Sequence, residues 1–291
     1  MYGRKGRIPC LSGIITGRMP CSWPGGGGEQ DRHAPAALVF CIQAWQILYV
    51  LARCQHFRQA GGPMNFQEQW RKLLLPLRYG GSGVDFKKLD PARSPFLKDR
   101  DRIIYSSSFR RLARKTQVHP LVRNDHIHTR LSHSLEVSSV GRSLGAMAGY
   151  FLRRRGELPD YAAPEFPGQI LEAACLAHDI GNPPFGHAGE FAIRDWFGDP
   201  ANHTYVNALE ETQQSDFRCF DGNAQGFRVV NVVENNRDQG GFRLTYPTLA
   251  SMVKYPWDSW QSRTRSGKCK FNYYQAEAGI FEEVFCALGL K

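Results

Sequence analysis

The chain has 291 residues, 42% apolar and 22% charged, an ordinary globular balance with ample material for a core. Its net charge is +10, split evenly as +5 for residues 1–63 and +5 for the longer remainder. That balance suits a polyanionic substrate or a nucleic-acid contact, and a generic basic surface accounts for it equally well. The eight cysteines form no CxxC pair, which excludes a disulfide-built secreted scaffold and reads as free thiols in a reducing cytoplasm.

Residues 1–63 differ from the rest. Glycines fill residues 25–28, and Arg, Pro, Cys and Trp are scattered without helical or strand period. The apolar stretch 36–52 is shorter than the ~20 residues a spanning helix needs, and Gln43 and Gln46 interrupt it, so no membrane span is expected. It also begins too late for a signal peptide. The expectation is a disordered or poorly structured extension, with Met64 the natural start of the working domain, residues 64–291; a membrane anchor is the alternative.

From Met64 the pattern turns helical. Trp70, Leu73, Leu74 and Leu77 are spaced for a short amphipathic helix, and residues 79–83 form a loop. Pro91 and Pro95 precede a second helix over residues 98–116, with Ile103, Ile104, Phe109 and Leu112 inward and a basic run, from Arg100 to Lys115, on the other positions. Such a run is most often a solvated face. Residues 129–154 read as one long helix with His133, Val137, Val140, Leu144 and Phe151 on its buried side. A lone His there is usually a core residue. Arg130, one turn earlier, offers a planar fork suited to a phosphate oxygen, a surface Arg being the bland alternative.

After a proline-punctuated connection, Ile170, Ala173, Ala174 and Ala177 mark a small-residue helix that delivers His178 and Asp179 at its end. With His133 on one buried helix and His178-Asp179 on another, divalent-metal ligation becomes the better account. The run continues Ile180-Gly181-Asn182-Pro183-Pro184-Phe185-Gly186-His187-Ala188-Gly189-Glu190, a bent loop into a helix that sets His187 and Glu190 three apart. That is an acid/base imidazole with a carboxylate to orient it. Asn182 either shapes this loop or touches substrate. Residues 201–220 are polar and read as a mobile flap. Asp221-Gly222-Asn223 reads as a turn and N-cap before a helix with Phe227, Val230 and Val233 inward. Lys254 reaches a phosphate or is simply solvated. Arg263, Arg265, Lys268 and Lys270 cluster around Gly267, and Phe281, Val284, Phe285 and Leu288 make a final amphipathic helix.

Several of these words occur together in one known family. Arg110-Arg111-Leu112, Lys115-Thr116-Gln117-Val118, the nine residues from Thr129 to Val137, the His178-to-Glu190 run and Gly222-Asn223-Ala224-Gln225-Gly226 stand in the family's order. From about Met64 on, the chain resembles the HD-superfamily deoxynucleoside triphosphate triphosphohydrolases, the bacterial dGTPases and dGTPase-like proteins. The resemblance implies an all-α HD-domain helical bundle and hydrolysis of dGTP or another dNTP to deoxynucleoside and triphosphate. It implies Mg²⁺ or Mn²⁺ on His133, His178 and Asp179, with His187 and Glu190 as the acid/base pair. Gln117 then meets the sugar and Arg130 a phosphate oxygen next to the metal, while Asn182 and Lys254 are candidate substrate contacts on the reading of the residues alone. It also implies homo-oligomeric assembly. The family's further Asp ligand, in an Ala-Asp-Asp-type word, has no counterpart in residues 64–291, so the reading here is an N-terminal part of the domain, truncated at its C-terminal side. Two rivals stay open: another HD phosphohydrolase, such as a nucleotidase or phosphodiesterase, and a protein that binds nucleotides or single-stranded nucleic acid without turnover.

Overall fold

The computed structural model describes residues 65–290, apart from 82, 85, 87–89, 91, 118–127, 236–239, 267 and 268 and the side chains of 264–266. The expectations for residues 1–63, Met64, Pro91, Val118, Gly267, Lys268 and the Arg265 side chain lie outside the described residues. Among the described residues there is no strand, only isolated bridges between Arg78 and Thr245 and between Thr116 and Thr129, so the fold is all-α as expected.

Helix α1 (Phe66–Leu73) starts where the Asn65 side chain accepts the Glu68 N–H, and α2 (Pro95–Ile104) where Ser94 accepts that of Leu97. The single helix expected over 98–116 is broken. The Ser106 hydroxyl donates to Ile103 O and accepts from Phe109 N, ending α2 and capping α3 (Ser107–Arg111), which tightens into a 3₁₀ turn at Leu112–Arg114.

The long helix α4 (Arg130–Arg154) and α5 (Phe166–Ala177) form the centre, and α4 packs chiefly against α5. The expected apolar face is corrected here. Val140, Leu144 and Phe151 are exposed, and the α5-facing side of α4 instead carries Gly141, Gly145 and Gly149. A Cβ at Gly145 would lie 2.6 Å from both Gly168 Cα and Pro167 O, and one at Gly149 would overlap Pro164 O. Only glycine permits so close an approach. Helix α5 is buried through its last two turns, joining the α2–α3 residues Ile103, Phe109 and Leu112 in the main core.

Then follow α6 (His187–Gly198), a 3₁₀ turn (Pro200–Tyr205), α7 (Glu211–Arg218) and α8 (Gly222–Arg228). The rest is α9 (Tyr246–Met252), α10 (Ser259–Ser266), a 3₁₀ turn (Gln275–Glu277) and α11 (Ala278–Ala287). The stretch read as a flap is largely helical. A Glu210–Gln213 capping box starts α7, and buried Asp216 accepts from Ser259 Oγ and the Gln275 amide, with burial pushing its carboxyl up to about 6. Helix α8 passes into a π turn at Val229–Val233, which leaves Val233 exposed rather than inward. Across the core, fully buried Asp99 accepts from Thr245 N, Thr245 Oγ1 and Thr248 Oγ1 and pairs with Arg78, pinning α2 to α9.

The free-thiol expectation fails at one pair. Cys219 and Cys269 are joined in a disulfide with their Cα atoms 4.9 Å apart, while Cys175 and Cys286 are free. Tertiary packing brings the two sulfurs together across 50 residues, a spacing that has no sequence signature. Among the described residues no helix is long and apolar enough to cross a membrane.

Candidate metal and acid/base site

Two polar groups form at the end of α5, one on each side of the 178–190 run. The first gathers His133 from α4 with His178 and Asp179 from the end of α5. One donor atom of each lies within 4.8 Å of the others, and the two imidazole rings stand edge to face with centroids 5.4 Å apart. Their donor set, two nitrogens and one carboxylate oxygen, fits a divalent cation. Second contacts orient His178 and Asp179. His178 Nδ1 lies 2.7 Å from Cys175 O and donates its proton there, which sets Nε2 3.4 Å from Asp179 Oδ1. Asp179 accepts from Arg130 Nη1 at 2.9 Å and from Asn182 Nδ2 at 2.5 Å.

The electrostatics agree with that arrangement. Burial would raise the Asp179 carboxyl, but His178, Arg130 and His133 outweigh it and hold it below the usual range. Burial, then His178, lowers the His133 imidazole, so the ring favours its neutral, ligating form. Arg130 is 6% exposed, and its Nε has no hydrogen-bond partner among the described residues. Gly186, at φ 55°, has its Cα side against that guanidinium: a Cβ would lie 2.6 Å from Arg130 Nη2. The strained loop residue is therefore glycine for two reasons at once.

Next to the isolated bridge between Thr116 and Thr129, the Gln117 backbone N–H donates to His128 O, and Gln117 Oε1 is buried with no partner among the described residues. Lys115 sits there too, donating Nζ to Asn182 O at 2.7 Å, its amine lowered by burial and then by Arg130 and Arg111. Asn182 thus has both its amide and its carbonyl engaged in shaping the loop.

The second group is built around Glu190 in the first turn of α6. His187 Nδ1 lies 2.9 Å from Glu190 Oε2, with the His187 side chain 75% exposed and that of Glu190 only 2%. Glu190 Oε1 accepts the Gly222 amide at 2.9 Å, and Lys270 Nζ lies 3.3 Å from Oε2 and 3.1 Å from Asp221 Oδ2. Burial would raise Glu190, yet the Gly222 amide, His187 and Lys270 together hold it below its ordinary value. Burial raises Asp221, and it would lower Lys270, but Asp221 and Glu190 raise that amine instead. Lys254 stands over the Tyr255 ring at 5.5 Å, its amine lowered by burial and by Lys270.

Gly222 joins the two groups. A Cβ there would overlap Asn182 Oδ1 and come within 3.0 Å of Glu190 Oε1, while a Cβ at Gly181 would overlap the backbone at Gly222 and Gly226. The glycine-rich word at 222–226 is therefore a seat for the metal-side loop. Lys115, Asp221 and Lys270 were named in the sequence but not as site residues; Asp221 is the expected N-cap of α8. Lys270 was read as part of a basic loop that meets a polyanion or nothing at all, and instead turns inward to two carboxylates.

Comparison with known proteins agrees with the architecture. Residues 130–241 match the family described as HD domain. The chain is 50% identical over 222 residues to the deoxyguanosinetriphosphate triphosphohydrolase-like protein of Pseudomonas aeruginosa, covering 76% of this chain and 49% of that one. The protein of the same name from a Synechocystis species is 46% identical over 233 residues, 76% of this chain and 52% of that one. The deoxyguanosinetriphosphate triphosphohydrolase of Klebsiella pneumoniae is 37% identical over 214 residues, 62% and 41% of the respective chains. The chain thus spans about half the length of the relatives it matches. With its HD-domain match and this similarity, the chain belongs to the HD-domain proteins of the deoxyguanosinetriphosphate triphosphohydrolase-like family.

Proposed function

We propose that this site is a phosphohydrolase centre that holds Mg²⁺ or Mn²⁺ through His133, His178 and Asp179 and cleaves a dNTP, dGTP foremost, to deoxynucleoside and triphosphate. The observation that carries this reading is the convergence of those three ligands beside an exposed imidazole backed by a buried carboxylate. When bound, the cation would polarise the α-phosphate and lower the pKa of the attacking water. Arg130, fixed by Asp179, directs its guanidinium at a phosphate oxygen, and Gln117 uses its unpartnered Oε1 on the sugar. Glu190 holds the His187 imidazolium by its Nδ1 proton, which leaves the Nε2 proton for the 5′-oxygen of the departing nucleoside. Lys254 adds a cation on the phosphate side.

Incubation with dGTP and Mn²⁺ followed by anion chromatography tests the reading. Tripolyphosphate supports it. Monophosphate would assign the site to another kind of HD phosphohydrolase, and bound nucleotide or single-stranded nucleic acid without product would make the chain a binding protein.

A further inference from the structure

The Asp179 carboxylate is held by two neighbours, and one residue holds both of them. Arg130 Nη1 donates to Asp179 Oδ2 and Asn182 Nδ2 to Asp179 Oδ1, so each oxygen has its own donor. An ionised carboxylate only accepts, which requires Asn182 to present its NH₂ side there. The other end of that amide lies against Gly222, where a Cβ would overlap Asn182 Oδ1. The direction of Asp179 therefore depends on where the backbones of Arg130 and Asn182 sit.

Both backbones are tied to Lys115. Its carbonyl accepts the Arg130 N–H at 2.9 Å, at the first residue of α4, and its amine donates to Asn182 O at 2.7 Å. Lys115 is itself anchored, since its own N–H donates to the carbonyl of Leu112, a fully buried residue of the main core. The half-buried side chain thus runs from the end of the 3₁₀ turn before α4 to the loop after α5.

We propose that Lys115 is a positioning residue for the metal site: its amine fixes Asn182 on Asp179 and so sets how that carboxylate meets a divalent cation. This role rests on the metal reading of His133, His178 and Asp179 and adds to it a residue outside the ligand set. Positioning and plain electrostatics have opposite signs here. The amine lies within electrostatic reach of Asp179 and Arg130. A positive charge that merely stood beside the site would repel an incoming cation, and its removal would tighten binding. Removal of a strut frees the Asn182 loop and weakens binding.

Calorimetric titration of the full chain with Mn²⁺ alone tests the role. Lys115→Met, and independently Lys115→Gln, whose donor stops one bond short, should weaken Mn²⁺ about tenfold with an unchanged circular dichroism spectrum. Lys115→Arg keeps a donor of similar reach and should recover most of the loss. The carbonyl that holds Arg130 survives all three substitutions, so the side chain acts through Asn182 alone. Asn182→Ala removes the donor to Asp179 but keeps the carbonyl that Lys115 grips. In that background Lys115→Met should cost about twofold at most. Unchanged or tighter Mn²⁺ binding in Lys115→Met and Lys115→Gln, or losses that simply multiply in the double variant, would overturn the proposal and leave the metal reading standing. An unsubstituted chain that binds no Mn²⁺ would remove both.

Discussion

His187 offers its ring to solvent while the carboxylate behind it is almost wholly buried, and that asymmetry separates what each substitution should do. Replacing His187 removes a proton donor but little packing. His187→Ala should lower turnover by about a hundredfold or more with nucleotide affinity nearly kept, and equal losses in both, measured by steady-state kinetics and direct binding, would contradict the role. Lys270 is the opposite case. Lys270→Met strips one of two shared counter-charges from Glu190 and Asp221, side chains 2% and 0% exposed, leaves Arg194 at 3.6 and 4.0 Å, and should cost about 1–3 kcal/mol in a urea titration. Glu190 itself has a depressed pKa in the folded chain. Its contribution to stability is therefore complete above its ordinary value near 4.5 and is lost as pH falls through the lower folded one. Urea midpoints measured from pH 6 to pH 3 should fall less steeply for Glu190→Gln than for the wild type.

At the scale of elements, the distance between the metal-ligand helices is set by backbone meeting backbone. Gly145→Ala inserts a methyl where 2.6 Å is available, so α4 and α5 must part. Thermal and urea unfolding should register a loss of about 1–3 kcal/mol, and titration calorimetry should find weaker Mn²⁺ binding, because His133 moves with α4 and His178 with α5. This face of α4 also marks where sequence reading stopped. Period gave α4, its Thr129 start and the inward placement of His133. It could not tell which side met the partner, because large apolar residues usually signal the core and here Gly141, Gly145 and Gly149 do. The Ser106 break was hidden for a related reason: a serine inside an apolar period looks tolerable until its hydroxyl is seen holding Ile103 O and Phe109 N. That His133, His178 and Asp179 gather, and that His187 meets Glu190, was legible because local spacing on helices sets those neighbours. Lys115 and Lys270 were not, since their partners lie 67 and 80 residues away and only the assembled fold selects them from a basic background.

For the whole molecule, the two polar groups are meeting points of segments that lie far apart in sequence, from Lys115 to Lys270. Stability and site geometry are therefore one property. One covalent feature reaches into the same region. Cys219 stands just before Asp221 and Gly222, and Cys269 immediately before Lys270, so the bond between them staples together the two backbone segments on which Glu190 rests. Exchange with an added dithiol leaves two thiols and releases that staple. The thiol content of whatever vessel holds the protein, a buffer or a cell, then decides how firmly the counter-ion of His187 is seated.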